Sequence, residues 1–94
     1  MATLLTKQIN LHLKTVPNWM KRAKTITRTY QFKAFLEGIR FVRRIATKAE
    51  KAQHHPDIDI RWNKVTLVLT THDEGGLTEK DFSMARQCDA AFLG

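Results

Sequence analysis

The hydrophobic period of this chain changes abruptly at His54-His55-Pro56, and that change restricts its fold more than any other feature. Upstream, Phe35, Ile39, Val42, Ile45, Ala46 and Ala49 recur every three or four residues, the stripe of an amphipathic helix over residues 33–53. Downstream, Ile58, Ile60 and Trp62 alternate with Asp57, Asp59 and Arg61. Val65, Leu67 and Leu69 then alternate with Thr66, Val68 and Thr70, so the pair reads as two half-buried strands. A proline disfavours helical backbone at the residue before it, so the helix has to end by His55 and the chain runs extended from there. Asn63-Lys64 reads as a tight hairpin turn between the strands. A long helix that leads straight into a hairpin implies an α+β sandwich with helices gathered on one sheet face, not a parallel α/β sheet.

The remaining elements fit that frame. Leu5, Ile9 and Leu13 mark one face of a short helix over residues 4–13, closed by Pro17-Asn18. Residues 19–24 suit a short strand and a turn. Residues 25–32 alternate Ile26, Tyr30 and Phe32 against threonines and Gln31, which predicts a strand whose apolar face Arg28 interrupts, near an edge or a subunit contact. Asp73-Glu74-Gly75-Gly76 is a loop, and Thr78-Glu79-Lys80-Asp81 resembles a capping box with Asp in the place of Glu or Gln. The last helix should bury Phe82, Ala85, Cys88 and Phe92. One domain over residues 1–94 is expected, with a core small enough that association with further copies would add stability.

Composition removes several function classes. No apolar run approaches the roughly 20 residues of a membrane-spanning helix. The single cysteine, Cys88, makes no intramolecular disulfide and reads as a buried small hydrophobe, which suits a reducing compartment. The net charge of +7 is uneven: residues 1–44 hold ten Lys and Arg with one acid, Glu37, and residues 45–94 hold six Lys and Arg with eight acids. These cations are dispersed among apolar residues, so a solvated basic face is favoured over a nucleic-acid surface. The acid-free start has the composition of a transit peptide, but the same residues are needed for the first helix and strands, so a cytoplasmic location is expected.

Three of the four histidines, His54, His55 and His72, lie beside turn signals. A hairpin turning at Asn63-Lys64 sets residue 72 opposite residue 55 and brings the three together. Three readings compete. Zinc can be held by three histidines, but adjacent His-His spacing chelates poorly and no cysteine assists. A histidine at a helix end can simply satisfy carbonyls. The favoured reading is a metal-free acid–base pocket, since imidazole both gives and takes protons near neutral pH. Glu50 lies one turn before His54 and can orient it, Asp81 can do the same for His72, and His12 stands apart as a surface residue.

The segments Glu50-x3-His54-His55-Pro56, Trp62-Asn63-Lys64-Val65, Thr71-His72 and Gly76-Leu77-Thr78-x2-Asp81 closely resemble those of the pterin-4a-carbinolamine dehydratases. Trp19 and Tyr30-x-Phe32-x-x-Phe35 extend the resemblance over nearly the whole chain. It implies a four-stranded antiparallel sheet with three helices on one face. It also implies dehydration of 4a-hydroxytetrahydropterin to quinonoid dihydropterin, which recycles the cofactor of aromatic amino acid hydroxylases, with no metal or organic cofactor. In this reading His54 protonates the leaving hydroxyl, His55 and His72 flank the pterin ring, and Glu50 and Asp81 orient the histidines. Pro56, Thr71, Asp73 and Glu74 meet the ring's pyrimidine edge. The resemblance further implies a homodimer or homotetramer built through sheet edges and the long helix. Its alternative is a regulatory dimerisation module like the family members that partner a homeodomain transcription factor. The aromatic signature of sheet-type RNA binders is absent from the sequence.

Overall fold

The computed structural model describes residues 2–93. The order is α1 (Thr6–Leu13), β1 (Met20–Arg22), β2 (Thr25–Gln31), α2 (Phe35–Ala52), β3 (Asp57–Arg61), β4 (Lys64–Leu69), a 3₁₀ turn (His72–Glu74) and α3 (Glu79–Leu93). The four strands form one antiparallel sheet in the order β1-β2-β4-β3. After β2 the chain crosses through α2 to the far edge, and the β3–β4 hairpin then returns it to pair with β2. The α+β class, the four strands and the three helices follow the expectation.

The core lies between the sheet and the helices. Ile26 and Tyr30 of β2 and Val65, Leu67 and Leu69 of β4 meet Phe41 and Ile45 of α2 and Phe82, Met84, Ala85 and Cys88 of α3. The stripe on α2 is rotated from its predicted position: Gly38, Phe41, Ile45 and Ala49 are the buried residues, and Phe35 and Ala46 are exposed. The helix carries two adjoining apolar lines: the one four residues apart from Phe41 lies fully over the sheet, and Val42 of the other packs half-buried against the core. Strand β3 also departs from the half-buried pattern, since all five of its residues are exposed. It is an edge strand, and β2 and β4 hold the covered centre of the sheet.

The hairpin turns one residue earlier than expected. Arg61 pairs with Lys64 and Asp57 with Val68, so Trp62 and Asn63 form the loop. Trp62 takes a left-handed conformation, φ 49°, at the exposed tip. Asn63 is held by β2's end: Phe32 N–H donates to its carbonyl at 2.9 Å, and its Nδ2 donates to the Phe32 carbonyl at 2.7 Å. These two bonds draw Asn63 into the loop and fix the register. The shift changes each partner by two residues, so every side chain keeps its face.

At the far end of α3, Asp89 Oδ1 accepts from Trp19 Nε1 at 2.9 Å, Arg28 Nη1 at 2.7 Å and Tyr30 OH at 2.5 Å. The Arg28 guanidinium lies 4.2 Å from the Tyr30 ring centre. Arg28 therefore does not mark an edge; it sits under α3 with its charge paired. Burial first and Asp89 second push the Tyr30 phenol far above its ordinary range. Burial also pushes the Cys88 thiol up to about 12. His12 is likewise not a free surface residue: it stacks on Phe82 with centroids 4.9 Å apart and pairs with Glu79 Oε2 at 2.8 Å.

Candidate active site

The end of α2 is built to turn the histidines inward. Gln53 takes the left-handed conformation, φ 53° and ψ 42°. His54 N–H then reaches back to the Ala49 carbonyl at 3.1 Å and Gln53 N–H to the Glu50 carbonyl at 3.3 Å. This is the paired-bond helix stop usually made with glycine. With glutamine it costs on the order of 1 kcal/mol of backbone strain, which the Gln53 Nε2 bond to the Glu50 carbonyl, at 2.7 Å, offsets. Pro56 keeps His55 extended, and the chain passes directly into β3.

Because the chain reverses hand at Gln53, each carboxylate holds a different histidine from the one expected. Glu50 Oε2 lies 2.5 Å from His55 Nε2 rather than beside His54. Asp81 Oδ1 lies 2.6 Å from His54 Nε2 rather than beside His72. The i, i+4 relation requires helix through both residues, and the helix ends at Ala52.

Asp81 is fully buried at the start of α3. Its Oδ2 accepts from Thr78 N–H at 2.9 Å and from Thr71 Oγ1 at 2.8 Å, and a carboxylate there complements the helix dipole. The expected capping box thus exists, with Asp81 also serving the histidine. Proton accounting orders the chain: Lys80 N–H donates to Thr78 Oγ1, Thr78 Oγ1 to Thr71 Oγ1, and Thr71 Oγ1 to Asp81. Since a carboxylate only accepts, His54 donates from Nε2. Its neutral ring therefore keeps the lone pair on Nδ1.

The two histidine pairs differ in exposure. The His54 side chain is 11% exposed against a fully buried Asp81, whereas His55 is 54% exposed and its Glu50 73%. His72 opens the 3₁₀ turn, which is pinned by Glu74 N–H to the Thr71 carbonyl and by mutual bonds between Thr71 and Gly76.

A cleft of about 220 Å³ brings His54, His55, Thr71, His72 and Asp73 together. The direct ladder between residues 55 and 72 does not exist, because β3 begins at Asp57 opposite Val68; the histidines meet across the cleft instead. Glu50 and Asp81 stand behind their histidines, and Pro56 and Glu74 lie off the lining. The cleft adds Gln53, Thr70 and Lys80. Lys80 sits inside the capping sequence, where its spacing to Asp81 was the available signal. Thr70 Oγ1 donates to the Lys24 carbonyl at 2.6 Å, a long-range bond with no local sequence mark. The arrangement offers one half-buried, carboxylate-held imidazole with a free Nδ1, one solvent-open imidazole on a carboxylate, and a third histidine on a tight turn.

The description "Pterin 4 alpha carbinolamine dehydratase" fits residues 2–91. A protein of Mycobacteroides abscessus with a provisional pterin-4-alpha-carbinolamine dehydratase name is 52% identical over 89 residues, 95% of each chain. One of Acidobacterium capsulatum with the same provisional name is 49% identical over 90 residues, 96% of this chain and 98% of the other. A crystal structure described as a transcriptional coactivator/pterin dehydratase from Brucella melitensis is similar at a TM-score of 0.91 and 36% identity, covering 95% of this chain and 97% of that one.

Proposed function

This chain belongs to the pterin-4a-carbinolamine dehydratase family, and we propose that it is a metal-free dehydratase converting 4a-hydroxytetrahydropterin to quinonoid dihydropterin and water in tetrahydropterin recycling. The observation that carries this reading is the convergence of His54, His55 and His72 on one 220 Å³ cleft, two of them held by carboxylates. A cleft below the roughly 300–1,000 Å³ of drug-sized sites suits one small bicyclic ring.

Dehydration breaks the bond between the 4a carbon and its hydroxyl oxygen. A proton has to reach that oxygen, and the adjacent ring nitrogen has to lose one as the new carbon–nitrogen double bond forms. His55 is the better acid, because it is open to solvent and held by Glu50, so it can take up a proton again after each turnover. His54 is the better base, because Asp81 occupies its Nε2 and leaves Nδ1 as an acceptor. The acid role thus falls to His55 instead of His54, the residue expected from the family resemblance. His72 and Asp73, with the Thr71 backbone, suit the ring's pyrimidine edge, and Pro56 and Glu74 border that region from outside the lining.

Turnover of a synthetic 4a-hydroxytetrahydropterin tests the reading. His55→Ala should lower kcat by about 10²–10⁴-fold, the usual contribution of a positioned acid or base, with little change in dihydropterin Kd. An unchanged kcat would remove His55 from the acid role, and a correctly folded protein without turnover would remove the dehydratase reading.

Assembly into a homodimer or homotetramer belongs to the same proposal. Phe35 and Leu36 on α2 and Ile58 and Ile60 on edge strand β3 are exposed, and burying them against copies would add stability. Sedimentation velocity reads this directly. Among the described residues no helix is long and apolar enough to cross a membrane, and a cytoplasmic setting is part of the same proposal, supported by a lone, buried Cys88 that suits a reducing compartment. A regulatory reading draws on the coactivator half of the Brucella melitensis protein's description. It predicts partner binding that survives His55→Ala.

A further inference from the structure

His54 and Lys80 line two clefts. The second, between the end of α2 and α3, is the larger, about 320 Å³. Apart from His54, the dehydration chemistry uses none of its lining. Four of its lining residues, Lys80, Ser83, Met84 and Gln87, follow the i, i+3, i+4, i+7 pattern that makes one continuous stripe on α3. Met84, with Ala52 opposite, supplies an apolar wall, and methionine sulfur packs well on aromatic rings. Ser83 and Gln87 add hydroxyl and amide groups, joined to each other only by a 3.4 Å contact.

The cleft holds one acid and one cation, and only the acid has an ion-pair partner among the described residues. The acid is Glu79: His12 takes one of its oxygens at 2.8 Å and Arg86 the other at 3.0 Å. The Lys80 ammonium has no ion-pair partner among the described residues. Lys80 also lines the histidine cleft, so the two spaces share His54 and one unpaired cation.

We propose that this second cleft receives the substituent of the pterin ring, and that it selects substrates whose substituent has an aromatic body and a carboxylate. This rests on the dehydratase reading, and sharpens it from any pterin to an arylcarboxylate-bearing one. A cleft of this size with a largely apolar wall leaves a methyl or short hydroxylated chain underpacked. An aryl group fills it against Met84 and Ala52, and the carboxylate meets Lys80.

Calorimetric titration of the full chain with two stable ligands tests this: methyl-dihydropterin and a dihydropterin bearing a carboxyanilinomethyl group. The expected result is binding of both, with the aryl ligand at least tenfold tighter. Lys80→Glu should cut that preference at least fivefold, and Ser83→Phe, which fills the cleft, should cut it too. Circular dichroism checks the fold of each variant, and Lys80→Glu, at an exposed position, remains informative if Ser83→Phe fails to fold. Equal affinity for the two ligands, or a preference that survives both variants, overturns the substituent cleft and leaves the dehydratase reading standing. No binding of either ring overturns both.

Discussion

Two buried or half-buried carboxylates on α3, eight residues apart, do opposite work. Asp89 collects a guanidinium, a phenol and an indole on one oxygen. Its partners come from the loop before β1 and from β2, and one of them, Arg28, carries a permanent charge. Asp81 collects an imidazole, a hydroxyl and a backbone N–H spread over both oxygens. Its partners are neutral or proton-exchanging. The first is a clamp that fixes sheet to helix, and the second is a bearing that fixes a proton carrier without locking its charge. One helix thus separates stability at its end from chemistry at its beginning.

The strongest way to break this contrast is at the clamp. Asp89→Ala leaves Arg28 uncompensated under α3 and should cost about 3–5 kcal/mol in urea unfolding, with turnover per folded molecule retained. At the bearing, Asp81→Asn places an amide among groups that all donate to it. The cost should be about 1–3 kcal/mol, with kcat lowered by about 10²-fold. If Asp81→Asn costs stability as heavily as Asp89→Ala while kcat holds, the two carboxylates are the same device and the contrast fails.

The clamp end should also show in alkali. Cys88 is pushed from 9.0 to about 12, and Tyr30 is raised in the same direction. The unfolded chain therefore loses these protons first. The Cys88 contribution is complete below pH 9.0 and is lost as pH rises toward about 12, and that of Tyr30 begins to be lost only above 10.0, each at up to about 1.4 kcal/mol per pH unit. Stability that holds through that range would show both groups to be less buried than the packing indicates. The smallest effect belongs to the histidine end: Gln53→Gly relieves a left-handed residue and should change stability by no more than about 1 kcal/mol. A loss well beyond that would assign the Gln53 side chain a larger part in holding the two histidines.

Much of this was legible in the sequence where local rules govern. The long helix with Ile45 and Ala49 inward, the hairpin and the Thr78–Asp81 cap follow from period and capping chemistry, whereas Phe41 was not read as part of the stripe. The cleft histidines were legible as a group because two lie at a helix end and one follows the hairpin strand that returns beside it. Their carboxylate partners were not, because the i, i+4 rule has no knowledge that Gln53 reverses the helix. The hairpin register was not, because Phe32, thirty-one residues away, decides where Asn63 sits. Arg28 looked like an interruption because its partner Asp89 is sixty-one residues distant. At Asn63 and Arg28 a long-range hydrogen bond overruled a short-range pattern, and at Glu50 a local left-handed residue did.

The chain's two tryptophans have a practical use as light sources. Trp19 is 4% exposed and its indole donates to Asp89, whereas Trp62 is 70% exposed at the hairpin tip. One emitter sits in a dry, rigid site and the other in water, so their spectra should separate, and iodide should darken only the second. The blue component then tracks the clamp, and the red component tracks whatever comes to cover the edge of the sheet. The native protein carries its own two-colour probe.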